Sequence, residues 1–191
     1  MKKTLILVAV MAAALLSGCK NQECAPSALN VIMTRTSIRS FTGDPVPAEQ
    51  LETILKAGMA APTAMNNQPW RFVVVTDKDK IAQVFGGGFR SEMFTSAGAV
   101  IVVCGQTSPN QFWFEDCSAA AENILLAVKA LGLGAVWTAG YPAEERTAPI
   151  AEALGLPEGV SILCTIPVGV PAEDPAPKDK WNPDYIHWEQ W

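Results

Sequence analysis

The amino-acid sequence predicts an α+β fold, because helices dominate and about four strands lie scattered between them. The longest helical pattern, residues 112–131, holds more apolar side chains than a surface helix carries, so we expect it to be the central core helix. The continuous apolar run of residues 99–104 is typical of a buried central strand. A chain of 191 residues that is 49% hydrophobic can enclose a core of this kind.

Other helices are predicted where apolar residues recur at helical spacing. Leu51, Ile54 and Leu55 form such a stripe in a helix that starts near residue 47 and stops at residues 61–62. Further helices are predicted at residues 28–34, 77–85 and 143–154. Gly155, directly after the last of them, is a typical C-terminal cap.

Strands are predicted where β-branched and aromatic residues form short runs between turn signals. Beside residues 99–104, these runs are residues 71–76, 134–139 and 160–170. The last of them leads into a tail, residues 171–191, with four prolines and three tryptophans. A free tail does not need three tryptophans, so we expect it to lie along a surface, its own or a partner's. The tryptophans expected to pack there are Trp181, Trp188 and Trp191.

Composition and motifs argue against several classes of function. The net charge is −5 and no basic stripe occurs, so nucleic acid is not an expected partner. No G-x-G-x-x-G follows a strand, and neither a P-loop nor a G-x-S-x-G motif occurs. No Cys and His spacing fits zinc, and the only histidine, His187, is interpreted as structural. We therefore predict no catalytic side chain and no metal site.

The N-terminus has the pattern of a secretory signal peptide. Two lysines precede an apolar run, residues 4–16, which is short for a membrane-spanning helix of about 20 residues. The following Ser17-Gly18-Cys19 resembles the bacterial lipobox, in which the cysteine is lipidated; an uncleaved anchor and ordinary secretion are the alternatives. We expect a lipoprotein signal peptide at residues 1–18, a tether at 19–27 and a single domain at 28–191. This organisation predicts a lipid-anchored protein of the bacterial cell envelope.

Four cysteines follow the lipidation site. Cys104 and Cys164 lie in apolar runs and are predicted to be buried. The other two are Cys24 and Cys117. A cell-envelope location would permit a disulfide, but the sequence does not choose a pairing.

Two segments carry candidate binding residues. Arg35 and Arg39 stand four residues apart with Thr36 and Ser37 between them, a donor array that suits a phosphate or another anion. An exposed basic turn is the alternative interpretation. The loop of residues 61–70 combines a hydroxyl, amides, two prolines and Trp70, and can offer a flat apolar slot or form a capped, Trp-anchored turn.

Four segments together resemble the nitroreductase family of FMN-dependent oxidoreductases. They are residues 35–41, 61–72, 123–134 and 167–180, in the family's order and across nearly all of the mature chain. The resemblance implies an α-β-α sandwich with a mainly antiparallel central sheet around the long core helix. It also implies a homodimer with FMN at the subunit interface.

The resemblance assigns roles residue by residue. Phosphate and pyrimidine contacts fall to Arg35, Thr36, Ser37 and Arg39, with Lys178 and Lys180 reaching the same phosphate. The isoalloxazine of the other subunit would meet Pro62, Thr63 and Ala64, with Asn66 and Gln68 in the same loop. Backbone near flavin N5 falls to Ala139 and Gly140. Ala64 and Ala139 depart from residues found in relatives, and the chain is short, so the inserted helices that cover the pocket in larger members are not expected.

The function implied is ping-pong oxidoreduction, in which a donor such as NAD(P)H reduces FMN and a nitroaromatic, quinone or similar small acceptor oxidises it. Because hydride transfer is the cofactor's own chemistry, no acid, base or nucleophile is required. NAD(P)H is a cytosolic reductant, whereas the predicted location of the protein is the cell envelope, so these two expectations conflict. Two alternatives therefore stay open: an envelope flavoprotein for electron transfer or partner binding without NAD(P)H turnover, and a flavin-free lipoprotein that keeps only the fold.

Overall fold

The computed structural model describes residues 26–88 and 90–191. The predicted signal peptide, the lipidation residue Cys19 and all but the last two residues of the tether lie outside the described residues. Among the helices in the described ranges, none combines the length and the apolar character needed to cross a bilayer.

Helices form where the periodicity and the capping residues predict them. The side chain of Asp77 caps one helix by accepting the backbone N–H of Lys80 at 2.7 Å, and Gly155 ends another with φ of 65°, a value that favours glycine. One five-residue helix, Ser91–Thr95, was not predicted. The helices of the described ranges are α1 (Ala28–Thr34), α2 (Ala48–Met59), α3 (Lys78–Phe85), α4 (Ser91–Thr95), α5 (Trp113–Ala130) and α6 (Glu144–Leu154).

The strands form one antiparallel sheet in the order β1-β2-β5-β3, with β4 also paired to β5. Their bounds are β1 (Trp70–Val75), β2 (Ala99–Gln106), β3 (Gly134–Ala135), β4 (Thr138–Ala139) and β5 (Val160–Gly169). The strand predicted at residues 134–139 is therefore interrupted. The pairs Ala135–Val168 and Thr138–Thr165 keep one register, so Pro167, which has no N–H to donate, lies opposite the interruption.

Strand β2 separates two hydrophobic layers because its side chains alternate between the faces of the sheet. Ile101 and Val103 pack with α2 and α5 in one layer, whereas Val100 and Val102 pack with α3 and α4 in the other. Ile124 of α5 is fully buried, as expected for the central core helix. These layers confirm the α+β fold class and the sandwich with its antiparallel sheet.

The C-terminal arm (residues 171–191) does not pack its tryptophans on its own chain. Trp181, Trp188 and Trp191 are 73%, 77% and 100% exposed, so of the two predicted surfaces the chain's own does not cover these rings. The imidazole of His187 stacks on Trp191 with ring centroids 4.1 Å apart. A partner surface for the arm stays a prediction.

Candidate cofactor site

The Arg35 segment (residues 35–41) runs in extended conformation from the end of α1. The backbone N–H of Arg35 caps that helix by donating to the carbonyl oxygen of Val31 at 2.9 Å. Ile38 is buried, and its N–H donates to the carbonyl oxygen of Ala135 on β3 at 3.0 Å. This anchor fixes the backbone of the segment between Arg35 and Arg39.

The C-terminal arm begins beside the Arg35 segment. Phe41 forms an antiparallel bridge with Pro171, and the N–H of Ala172 donates to the carbonyl oxygen of Ser40 at 2.9 Å. The N–H of Thr42 donates to the carbonyl oxygen of Val170 at 3.0 Å. Two parts of the chain that are far apart in sequence are therefore joined by an isolated antiparallel bridge and by backbone hydrogen bonds.

A cavity of about 580 Å³, here named the basic cavity, opens between the Arg35 segment and the arm. Four cationic side chains line it, with one acidic neighbour, Asp179. The hydroxyls of Thr36 and Ser37 lie on the same wall. The lining residues are Met33, Arg35, Thr36, Ser37, Arg39, Pro175, Ala176, Lys178, Asp179, Lys180 and Trp181.

The two arginines of the basic cavity have different surroundings. Arg35 is 20% exposed, and its Nε lies 3.6 Å from Oε1 of Glu122 on α5. Arg39 is exposed and donates from Nη1 to the carbonyl oxygen of Ser37 at 3.4 Å. Arg35 is thus held against the body of the protein, whereas Arg39 extends from its own loop.

A carboxylate of the arm binds the backbone of the Arg35 segment. Oε1 of Glu173 accepts the N–H of Arg39 at 2.5 Å and the N–H of Ser40 at 3.2 Å. Sequence reasoning missed this residue, because 134 positions separate it from Arg39 and only the fold brings them together.

The Pro62 loop (residues 61–68) has a constrained backbone. Met65, Asn66 and Gln68 have φ values of 52°, 58° and 50°, in the left-handed region that costs non-glycine residues on the order of 1–3 kcal/mol each. Local hydrogen bonds offset part of this cost: Gln68 donates its N–H to Oγ1 of Thr63 at 3.2 Å and its amide to Oδ1 of Asn66 at 3.0 Å. A backbone held in this way is typical of a binding loop.

Asp116 of α5 anchors the Pro62 loop to the core helix. The side chain is 6% exposed, and its Oδ1 accepts the N–H of Ala64 at 2.9 Å. Sequence reasoning missed Asp116 as well, because acidic residues are common in the first turn of a helix and only the fold brings this one to the backbone of Ala64.

The segment of Ala139 and Gly140 reaches the same end of α5. A Cβ atom on Gly140 would lie 2.7 Å from the carbonyl oxygen of Leu163, so the backbone approach to β5 requires glycine. The next residue, Tyr141, packs edge-on against Trp113 of α5 with ring centroids 4.9 Å apart.

The predicted site residues therefore fall into two groups. Arg35, Thr36, Ser37 and Arg39 lie with Lys178 and Lys180 around the basic cavity. The Pro62 loop and the segment 139–140 are not among the residues that line that cavity. Ala64 of the loop contacts Asp116, and Tyr141, which follows the segment, contacts Trp113, so both lie near the N-terminal end of α5. The assignment of the Pro62 loop to the flavin of the other subunit stays a prediction.

The thiols of the described residues supply no nucleophile. Cys104, Cys117 and Cys164 are free and buried, so the predicted burial of Cys104 and Cys164 is confirmed. Burial raises the pKa of Cys104 and of Cys117 to about 12, with the charge of Asp116 adding to the effect at Cys117, and burial also raises the pKa of Cys164.

The chemistry of the basic cavity fits a phosphate monoester. Such a group carries close to two negative charges at neutral pH and accepts strong hydrogen bonds from guanidinium and ammonium groups. Four cations and two hydroxyls around one cavity meet that requirement in a protein whose net charge is −5.

Comparisons with known proteins identify the family of the chain. The model of the nitroreductase family matches residues 32–90 and 86–170. A protein of Archaeoglobus fulgidus, provisionally named NADH dehydrogenase/NAD(P)H nitroreductase, is 41% identical over 177 residues, which cover 89% of this chain and 99% of that protein.

Solved structures show the same relationship. A protein of Bacteroides thetaiotaomicron with the same provisional name has a TM-score of 0.83 and 41% identity, covering 88% of this chain and all of that one. A provisionally named nitroreductase of Desulfovibrio desulfuricans, solved in complex with FMN, has a TM-score of 0.74 and 31% identity, covering 88% of this chain and 99% of that one. The chain therefore belongs to the nitroreductase family.

Proposed function

We propose that the protein is an FMN-dependent oxidoreductase of the nitroreductase type, with NAD(P)H as electron donor. The observation that carries the proposal is the basic cavity, whose four cations and two hydroxyls suit the phosphate of FMN. Family membership and a relative solved with FMN support the same cofactor.

The two groups of site residues would hold different parts of FMN. The phosphate and the pyrimidine edge fall to Arg35, Thr36, Ser37 and Arg39, with Lys178 and Lys180 on the phosphate. The Pro62 loop, with Pro62, Thr63, Ala64, Asn66 and Gln68, would lie against the isoalloxazine of the other subunit. The backbone at Ala139 and Gly140 would approach flavin N5.

When bound, FMN supplies the hydride chemistry, by accepting a hydride from the donor and passing it to the acceptor. The protein's residues bind and orient the cofactor. Because FMN supplies this chemistry, the proposal assigns no side chain the role of acid or base. Small nitroaromatic or quinone acceptors and a ping-pong sequence belong to this proposal.

A homodimer completes the proposed site. Large apolar side chains of the N-terminal helix and the arm are exposed, with Leu29 and Met33 each 75% and Trp181 73% accessible. A second copy is the partner proposed for these side chains, because the Pro62 loop would then meet the flavin held by the other subunit's basic cavity. Light scattering of the soluble form at micromolar concentration should give the mass of a dimer; a monomer mass contradicts the proposal.

The proposed location is the bacterial cell envelope, with the chain anchored through a lipid on Cys19. The basic start, the apolar run and the lipobox-like residues at the N-terminus support it. In cells supplied with a labelled fatty acid, the wild-type protein should incorporate the label, and replacement of Cys19 by alanine should abolish it. A wild-type protein without the label would contradict lipid anchoring.

This location favours a second candidate function, because NAD(P)H is a cytosolic reductant. An envelope flavoprotein for electron transfer or partner binding would keep FMN but take its electrons from another donor. Stopped-flow mixing of the flavin-loaded protein with NADPH under argon separates the two. Bleaching of the flavin supports the oxidoreductase with a nicotinamide donor, whereas an unbleached flavin supports the second candidate.

The first experiment is a visible spectrum of the chain purified from residue 19 onward, before and after addition of FMN. Absorbance in the flavin bands that stays with the protein through gel filtration is the expected result. A protein without those bands, even after FMN is added, contradicts both flavin-dependent functions.

A further inference from the structure

Glu173 is an acidic residue beside a cavity that four cationic side chains line. Its carboxylate accepts the backbone N–H groups of Arg39 and Ser40, on the segment that supplies two arginines to the basic cavity. The carboxylate also lines a smaller cavity of about 200 Å³ that Arg35 and Thr36 share. Coulomb repulsion between this carboxylate and a phosphate bound nearby should weaken phosphate binding.

The hydrogen bonds of Glu173 join two parts of the basic cavity. Arg39 belongs to one wall, and Lys178 and Lys180, which follow Glu173 by five and seven residues, belong to the wall formed by the arm. In the described part of the chain, residues 174–180 form no hydrogen bond or ion pair with the body of the protein. Glu173 is therefore the last polar contact of the arm before its two lysines.

We propose that Glu173 is a positioning residue for FMN, which holds the arm so that Lys178 and Lys180 face Arg35 and Arg39 across one phosphate. The inference rests on the proposed function, since it takes the basic cavity as the phosphate site. Backbone bonds of residues 170–172 join the start of the arm to the Arg35 segment, and the contacts of Glu173 with two consecutive N–H groups extend that connection toward the lysines. By holding the arm in place, Glu173 strengthens phosphate binding more than its negative charge weakens it.

Asp174 provides a matched control. It is the neighbouring carboxylate, is exposed and lines the smaller cavity, but no hydrogen bond to its side chain occurs in residues 26–88 and 90–191. Removing either charge lowers the repulsion toward a phosphate. Only removal of Glu173 also frees the part of the arm beyond Ala172, which the backbone bonds of residues 170–172 do not reach, so the two variants should change FMN affinity in different directions.

The experiment measures dissociation constants for FMN and riboflavin, by flavin fluorescence, for wild type and the variants Glu173→Ala, Glu173→Gln and Asp174→Ala of the whole mature chain. Riboflavin lacks the phosphate, so it reports the ring site alone. We expect Glu173→Ala to weaken FMN at least about 10-fold and riboflavin less than about 2-fold. Glu173→Gln keeps an acceptor oxygen and should recover part of the FMN affinity, whereas Asp174→Ala should bind FMN as tightly as wild type or more tightly.

A second measurement tests the arm directly. Replacing Lys178 and Lys180 by alanine should cost much less FMN affinity in the Glu173→Ala protein than in wild type, because the lysines no longer reach the phosphate. An FMN affinity of Glu173→Ala that equals that of Asp174→Ala, or an equal loss for FMN and riboflavin, overturns the inference alone. A wild-type protein that binds neither flavin overturns the proposed function and the inference with it.

Discussion

Nε of Arg35 lies 3.6 Å from Oε1 of Glu122, which ties the first residue of the Arg35 segment to the core helix α5. The Glu122 side chain is half exposed, so the pair contributes at most about 1 kcal/mol to stability. Its more important effect is orientation. With Nε directed at Glu122, the terminal nitrogens of the guanidinium are the donors that we assign to the phosphate.

Replacing both Arg35 and Arg39 by alanine should abolish retention of FMN. Each arginine supplies charge-assisted hydrogen bonds of about 1.5–3 kcal/mol, so the double variant should bind FMN at least about 100-fold more weakly. Gel filtration followed by a visible spectrum measures the bound flavin. Arg146→Ala is the control, because Arg146 is an exposed arginine of α6 that pairs with Glu145. Full flavin occupancy in the double variant would remove the phosphate-site assignment.

Replacing Lys178 and Lys180 by alanine should weaken FMN binding and make it less sensitive to salt. Both lysines lie on the exposed arm, where ions screen their attraction to a phosphate. FMN titrations between about 0.05 and 0.5 M salt should show a shallower dependence in the double variant than in wild type. Lys56→Ala, which removes an exposed lysine paired with Glu52 on α2, should leave the dependence unchanged. Parallel dependences in wild type and the double variant would contradict a phosphate role for the arm.

Local patterns were enough to predict the main elements. Strand β2 is a continuous apolar run, and α5 carries more apolar side chains than a surface helix. Both must lie at the centre of the fold, because only there can so many apolar side chains be buried. Helix α4, by contrast, has five residues, too few for a periodic pattern. The interruption between β3 and β4 depends on Pro167 lying opposite, which is a matter of register and not of local sequence.

The residues of the candidate site also divide into those that local sequence predicts and those that only the fold reveals. The donors of the Arg35 segment and the amides of the Pro62 loop were visible as residue types in short stretches. Asp116 and Glu173 could not be found in this way, since each acts on a backbone N–H that is remote in sequence. The exposure of Trp181 and Trp191 in the single chain does not follow from composition. A tail with these residues can be covered by its own chain or by a partner, and composition does not distinguish the two surfaces.

Replacing Asp116 by alanine should disturb the Pro62 loop and, with it, the flavin environment. The N–H of Ala64 loses its acceptor in a partly buried position, which costs about 1–3 kcal/mol of unfolding free energy. The expected result is a lower midpoint of urea unfolding together with a shifted visible spectrum of the bound flavin. Asp116→Asn keeps an acceptor oxygen and should restore most of both.

Asp77 supplies the control for this prediction. Its carboxylate also accepts a backbone N–H, that of Lys80, but at the start of α3. Asp77→Ala should cost about 1 kcal/mol of stability and leave the flavin spectrum unchanged. If the Asp77 and Asp116 variants change stability and spectrum alike, Asp116 has no particular relation to the flavin.

The three buried thiols predict a loss of stability in alkali. Burial raises the pKa of Cys104 and of Cys117 from 9.0 to about 12, and it raises that of Cys164 as well. Above about pH 9 the unfolded chain carries thiolates while the folded chain keeps its protons, so the unfolded state binds fewer protons and stability falls as pH rises. Stability is complete below pH 9 and is lost progressively toward pH 12, by up to about 1.4 kcal/mol per pH unit for each thiol.

Urea unfolding between about pH 8 and 10.5 measures this slope. The test is a comparison of wild type with Cys117→Ala, because every other titratable group is the same in the two proteins. Loss of one buried thiol should make the decline shallower by up to about 1.4 kcal/mol per pH unit. Equal slopes in the two proteins would mean that Cys117 ionises alike in the folded and unfolded states, which contradicts its burial between α5 and β2.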